Sequence, residues 1–246
     1  MARMAIDPER ELAELEEYLG DDYDHARLQR YEEAVDEELA QVGDESTLYR
    51  TSQMYLYNLT AFAMSRTKEP YLADLTDLVP PGSRVLDYGC GIGSDGLLLL
   101  QAGYDVGFAD FANPSTEYLR WRLKKRGFDA PIYDLDASPP APGWDAAYSF
   151  DVIEHVDDPF AFLARLEQLA RLVAVNFLEP LPDEPDVHHE LPIRELLRHV
   201  SARRLRRYRL YHRRSHLVLY EHGHASRLLG RAKIAAGRVL GTKLGG

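Results

Sequence analysis

The chain carries a single cysteine, Cys90, among its 246 residues. No intrachain disulfide and no cysteine-based metal cluster can therefore form, as suits a reducing compartment. No apolar run reaches the ~20 residues a membrane-spanning helix needs. Met1–Arg10 is polar, without the apolar core of a secretory signal, so the expected location is cytoplasmic. Internal repeats and low-complexity blocks are missing, which excludes solenoid and linker architectures. Nucleic acid is not expected as a partner.

What is present reads as an ordinary globular enzyme: 45% of residues are apolar and 28% charged. The length suits one α/β domain with an added segment and a sizeable core. The net charge of −11 hides a division, because residues 194–246 hold only 2 acidic but 14 basic side chains. The acidic excess is densest around Glu14, Glu16, Glu17, Asp21, Asp22 and Asp24. Solvated helix faces and attraction between the two ends of the chain are the expected account of this pattern, with a basic C-terminal surface for an anionic substrate, nucleic acid or lipid headgroups as the alternative.

The period of the apolar residues divides the chain into three parts. Residues 1–79 read as a helical segment without strands. Leu12, Leu15 and Leu19 share one side, Gly43-Asp44-Glu45-Ser46 interrupts, and Tyr49, Tyr55, Tyr57 and Phe62 make an aromatic stretch. A further helix over Tyr71–Val79 stops at Pro80-Pro81-Gly82. Residues 80–224 alternate between strands and helices. The strands are expected at Arg84–Asp87, Asp105–Asp110, Ala130–Tyr133, Ala146–Phe150, Leu172–Phe177, Arg206–Tyr211 and His216–Tyr220. That alternation specifies a largely parallel sheet covered by helices.

Residues 225–246 form a basic tail in which Leu228, Ala232, Ala235 and Val239 lie on one helical stripe. A basic amphipathic helix can lie on a membrane surface. Gly230, Gly237 and Gly241 and a thin apolar face argue instead for a loose tail or a helix docked on its own domain.

The chemistry concentrates in Val85-Leu86-Asp87-Tyr88-Gly89-Cys90-Gly91-Ile92-Gly93. Glycines here allow a sharp turn from strand to helix and a close approach of a ligand to the backbone. The spacing also satisfies the dinucleotide fingerprint through Gly91, Gly93 and Gly96, with Asp110 where a ribose-binding acid belongs. An NAD-dependent oxidoreductase therefore remains open at this point. Asp87 weighs against it, being a poor neighbour for a pyrophosphate but a good one for an ammonium or sulfonium.

With three further segments the run resembles the class I S-adenosylmethionine-dependent methyltransferases. Phe108-Ala109-Asp110-Phe111 is similar to the family's second-strand acid, which holds the ribose hydroxyls. Asp134-Leu135-Asp136-Ala137 resembles the segment that touches the adenine. Trp144–Pro159, with Phe150, Asp151 and His155, resembles the fourth-strand motif of the small-molecule, ubiquinone-biosynthesis-like subgroup.

The resemblance implies an α/β fold: a Rossmann-like doubly wound sheet of seven strands, the last antiparallel, with the N-terminal helices as a lid. It implies S-adenosylmethionine as cofactor and S-adenosylhomocysteine as product. Cofactor contacts are expected at Asp87, Gly89, Gly91, Gly93, Asp110, Phe111, Asp136, Ala137, Phe150, Asp151 and His155.

The acceptor is expected to be a small molecule methylated on oxygen or nitrogen. His155 and His188 are the candidate proton acceptors. Tyr57, His188 and His189 are candidates for holding the acceptor, and no metal is assigned. With the N-terminal helices as a lid, the resemblance implies that Arg50, Tyr57, Arg66 and Lys68 can approach the methionine carboxylate or the acceptor, although surface or core positions are the expected first reading for them. Two other readings of the same fold stay open: cleavage or cyclisation of the cofactor itself, and a non-catalytic cofactor-binding module.

Overall fold

A computed structural model of the chain describes residues 4–179, 190–224 and 227–244. The strands are β1 (Arg84–Tyr88), β2 (Asp105–Asp110), β3 (Ile132–Asp134), β4 (Trp144–Ser149), β5 (Ala170–Leu178), β6 (Arg203–Tyr211) and β7 (Ser215–His224). They form a seven-stranded sheet in the order β3-β2-β1-β4-β5-β7-β6. The β2–β3 and β4–β5 pairs are parallel, whereas β7 runs antiparallel to both β5 and β6. This is the largely parallel sheet the alternation specified, with the Rossmann-like order and reversed last strand that the family resemblance implied. Among the described residues no helix is long and apolar enough to cross a membrane.

The chain packs as two compact units. The first comprises Met1–Ala73, Pro80–Gly82 and Asp87–Pro140. Its N-terminal helices are α1 (Pro8–Leu19), α2 (His25–Gln29), α3 (Tyr31–Val42), α4 (Glu45–Thr51) and α5 (Met54–Ser65), and α6 (Glu69–Thr76) begins in it. The helical stretch before the Gly43–Ser46 interruption is thus divided, and the dividers are local. Gly20 ends α1 at φ 54°, the Asp24 carboxylate caps α2 through the Ala26 N–H, and Gly43 ends α3 at φ 73°. After β1 and β2 come α7 (Ser94–Gln101) and α8 (Pro114–Arg126). Asn113 caps α8 in a reciprocal pair with Thr116. Leu15, Leu28, Leu56, Tyr57, Ile92 and Tyr118 make one core cluster, with Leu12 and Leu19 packed on it. Each such aliphatic side chain contributes roughly 1.5–3 kcal/mol of transfer free energy.

Two of the acidic residues near the N-terminus are not solvated. Glu11 and Glu14 are buried against the fully buried Arg122. Arg122 donates to Glu14 Oε2 at 2.8 Å, and to the Ile92 carbonyl and Ser94 Oγ at 2.9 Å each; it also pairs with Glu11. Ser94 in turn donates to Glu11 Oε2 at 2.6 Å, and Arg126 reaches both glutamates. The partners of these two acids are thus mid-chain arginines of α8, not the basic residues 194–246 with which attraction was expected.

The second unit comprises Asp74–Val79, Ser83–Leu86 and Ala141–Gly246. It holds α9 (Pro159–Leu169), α10 (Ile193–Ser201) and α11 (Arg227–Leu244). β5 is buried along nearly its whole length, matching its continuous apolar run. β6 is longer than expected and rich in arginine because acids of the same unit match it. Arg203 pairs with Glu167, Arg204 and Arg206 with Glu221, and Arg207 and Arg209 with Asp74.

Glu167 also accepts from Tyr220 and lies 3.0 Å from His199 Nε2. Burial pushes its carboxyl up, but His199 and Arg203 more than offset this and hold it down at about 2. Its folded pKa is thus below its unfolded one. The stability it contributes is complete above pH ~4.5 and is lost as pH falls toward 2. Acid titration of wild type and Glu167→Gln by circular dichroism checks this: the difference in stability between them should shrink over that window.

The tail is a helix docked on its own unit, and its glycines are the docking contacts. Gly230, Ile234 and Gly237 are buried, whereas the apolar stripe of Leu228, Ala232, Ala235 and Val239 is exposed. A Cβ on Gly230 would lie 2.2 Å from the Ser201 carbonyl oxygen, and one on Gly237 2.3 Å from the Tyr208 ring. Of the two readings of the tail, the docked helix is the one found, and these glycines let it pack closely on α10 and β6.

Candidate functional site

In the first unit the turn after β1 is built from glycines at positive φ: Gly89 at 77°, Gly91 at 50° and Gly93 at 71°. Gly93 also caps α7 in the left-handed conformation, and a Cβ there would stand 2.4 Å from Leu119 Cδ1. One turn later a Cβ on Gly96 would meet the Phe108 ring at 2.2 Å. Both positions thus require glycine, one for conformation and one for space. Leu59 of α5 covers the turn, 3.0 Å from where a Cβ on Gly91 would sit.

Asp110, at the end of β2, is tied to that turn. Its Oδ2 accepts from the Gly91 N–H and its Oδ1 from the Phe111 N–H, both at 2.7 Å. Burial raises its carboxyl above the usual range, although these two N–H groups and Arg50 act against the shift. Asp87, near the end of β1, is buried. The Cys90 thiol is pushed well up by burial and by the charges of Asp110 and Asp87, so it is no nucleophile at neutral pH.

Asp136 and Ala137 follow β3 and are exposed. The Asp136 carboxylate pairs with Arg50 of α4, whose guanidinium carbon lies 3.9 Å from the centre of the Phe111 ring. Arg50 therefore meets two residues expected at the cofactor. Arg66 pairs with Glu69, and Lys68 with Asp95 at 3.2 Å. Tyr57 is buried in the core cluster. Its hydroxyl accepts from the Asp24 N–H at 2.9 Å, so its place is a packing one.

In the second unit Phe150 is buried beside Tyr148, the ring centres 5.0 Å apart. Asp151 takes φ 56°, which few non-glycine residues adopt. Asn176 of β5 holds it there: its Oδ1 accepts from the Asp151 N–H at 2.8 Å, and its Nδ2 donates to Asp151 Oδ1 at 2.6 Å. His155 closes a short 3-10 turn, Ile153–His155, and is half-buried. Asp158 caps α9 through the Phe160 and Ala161 N–H groups, which makes the end of the motif a structural device. His188 and His189 lie outside the described residues.

Asn176 was not singled out by its sequence, although one polar residue inside the apolar run Leu172–Phe177 is the signal that marks it. Removing it would orphan the Asp151 N–H and leave an uncommon backbone conformation unsupported. Asn176→Ala is expected to cost about 1–3 kcal/mol. Urea denaturation measures this, and a loss near zero would show that Asp151 holds its conformation alone.

A glycine turn and a second-strand acid at adjoining strand ends, on this strand order, make the fold Rossmann-like. A family model described as a methyltransferase domain matches residues 63–222, more than half of the chain. The protein belongs to this methyltransferase-domain family, whose cofactor is S-adenosylmethionine.

Solved structures agree on the fold. Magnesium protoporphyrin IX methyltransferase (ChlM) from Synechocystis PCC 6803 is 18% identical with a TM-score of 0.54, over 70% of this chain and 89% of that one. The PH0226 protein from Pyrococcus horikoshii OT3 is 18% identical with a TM-score of 0.52, over 69% and 92%. TehB from Haemophilus influenzae is 18% identical with a TM-score of 0.51; the match spans 61% of this chain and 60% of TehB. No curated protein matches the chain significantly.

Proposed function

We propose that the protein transfers the methyl group of S-adenosylmethionine to an oxygen or nitrogen of a small-molecule acceptor. The observation that carries this is the joining of the glycine turn to Asp110, whose two carboxylate oxygens are held by the Gly91 and Phe111 N–H groups. The donor set fits the cofactor. Asp110 keeps lone pairs for two ribose hydroxyls, Asp87 suits an ammonium, and Asp136 can accept from an adenine amino group. Asp87 beside the glycine turn is a poor neighbour for a pyrophosphate, which weighs against a dinucleotide.

When bound, the cofactor supplies an electrophilic methyl carbon on a sulfonium, so the chain has mainly to align the acceptor and exclude water. In this reading Asp87, Gly89, Gly91, Gly93, Asp110, Phe111, Asp136 and Ala137 hold the cofactor. The assignment of Phe150, Asp151 and His155 rests on their motif. Residues 1–79 serve as the lid, and Leu59 beside the glycine turn supports that role. His155 or His188 takes the proton of an acceptor hydroxyl or amine, as a neutral imidazole suits. The small-molecule reading draws on the fourth-strand motif and on the acceptor named for ChlM, a porphyrin. A cytoplasmic location belongs to the same proposal.

Thermal-shift measurements with S-adenosylmethionine, S-adenosylhomocysteine and NAD test the cofactor. Stabilisation by NAD alone would overturn the reading. Incubation with methyl-labelled cofactor and a metabolite extract tests the transfer. Label entering an extract component is the expected result; breakdown of the cofactor without transfer would favour cleavage instead.

A further inference from the structure

Arg50 stands in an unusual position for a surface arginine on a short helix. Its guanidinium is stacked on Phe111 and hydrogen-bonded to Asp136 through both terminal nitrogens, Nη2 lying 3.4 Å from Oδ1. Phe111 directly follows the ribose-type acid Asp110, and Asp136 follows the adjoining strand β3. A guanidinium and the amino edge of a purine are chemically alike in this setting. Both are flat, both stack on an aromatic face, and both offer in-plane N–H donors to a carboxylate.

We propose that Arg50 is an internal competitor for the adenine subsite, occupying the Phe111 face and the Asp136 carboxylate that adenine needs and so setting the affinity for the cofactor. This rests on the proposed function, which assigns Phe111 and Asp136 to the adenine end.

Release requires only a swing of the side chain. The backbone of α4 is anchored, since Leu48 is buried and the Tyr49 carbonyl accepts from Asn113 Nδ2 at 3.0 Å. The Arg50 side chain is 37% exposed and that of Asp136 56% exposed. A pair so open to water is weak, reversible and screened by salt. Arg50 thus acts as a latch that the cofactor displaces, and ionic strength controls how firmly it holds.

Calorimetric titration with S-adenosylhomocysteine tests the proposal. Arg50→Ala is expected to bind roughly three- to tenfold more tightly than wild type, because a cation–π contact and an exposed ion pair no longer compete. Arg50→Gln, which keeps length without charge, should also bind more tightly than wild type. Wild-type affinity should rise with added sodium chloride, while that of Arg50→Ala stays flat; a purely structural role for Arg50 would not give this difference.

Unchanged or weaker binding by Arg50→Ala would overturn the proposal, weaker binding making Arg50 a cofactor ligand. Phe111→Ala and Asp136→Ala separate the two levels of the argument. If both weaken binding while Arg50→Ala changes nothing, only the role of Arg50 fails. If wild type binds and neither of these two variants weakens binding, the adenine assignment fails and the latch fails with it.

Discussion

Arg122→Met is expected to destabilise the protein by about 3–5 kcal/mol, because it removes the cation from a buried cluster that keeps its two carboxylates. Arg122 is fully buried, and Glu11 and Glu14 are only a few per cent exposed. Methionine has a similar volume and leaves little cavity, so the loss reports on charge rather than packing. Arg126 remains and partly compensates, which places the effect inside that range rather than above it. The Ile92 carbonyl and Ser94 hydroxyl lose their donor at the same time. The glycine turn and the start of α7 should therefore loosen, and cofactor affinity should fall with stability.

Urea denaturation measures the first effect and titration with S-adenosylhomocysteine the second. A loss below about 1 kcal/mol would mean that the cluster contributes little beyond its desolvation cost.

The same cluster predicts a pH response. Burial pushes the Glu14 carboxyl up, but Arg126 and Arg122 hold it below the usual range. Its contribution is therefore present above the unfolded pKa and lost as pH falls through the folded one. Acid should weaken wild type more steeply than Arg122→Met.

Asp110→Ala is expected to reduce affinity for S-adenosylhomocysteine about a hundredfold or more. Hydrogen bonds to a charged acceptor are worth about 1.5–3 kcal/mol each, and two ribose hydroxyls are proposed to share this carboxylate. The variant also orphans the Gly91 and Phe111 N–H groups, so the turn itself loses its brace. Asp110→Asn keeps one acceptor oxygen and should fall between wild type and alanine.

Since burial raises the Asp110 carboxyl, wild-type affinity should start to decline at a higher pH than for an ordinary aspartate. Calorimetry across pH checks both effects. Equal affinities for wild type and Asp110→Ala would remove Asp110 from the cofactor site.

Much of the fold was legible because its signals are local. The bounds of β2 follow from Asp105–Asp110 alone, and the strand–turn–helix unit at Gly89–Gly93 is written in consecutive residues. The reversed seventh strand was legible through the family resemblance. Element edges were less so: β6 begins at Arg203, and only its pairing with β7 and the acids around it makes five arginines acceptable in one strand.

What the sequence alone determined is the glycine turn with Asp110 and the order of strands and helices around it. Each depends on conformational limits of neighbouring residues, which any reader of the chain can apply. Tertiary structure decided the rest. Nothing local distinguishes Arg122 from the basic residues beside it; it is a buried hub because Glu11 and Glu14 arrive from about 110 residues away. Asp151 keeps its conformation because β5 brings Asn176 to it, 25 residues later. Arg50 meets Asp136 across 86 residues. The docked face of α11 is the glycine face because Ser201 and Tyr208 leave no room for a Cβ. In each case the deciding partner is distant in sequence, so the energy of the contact exists only once the chain has folded.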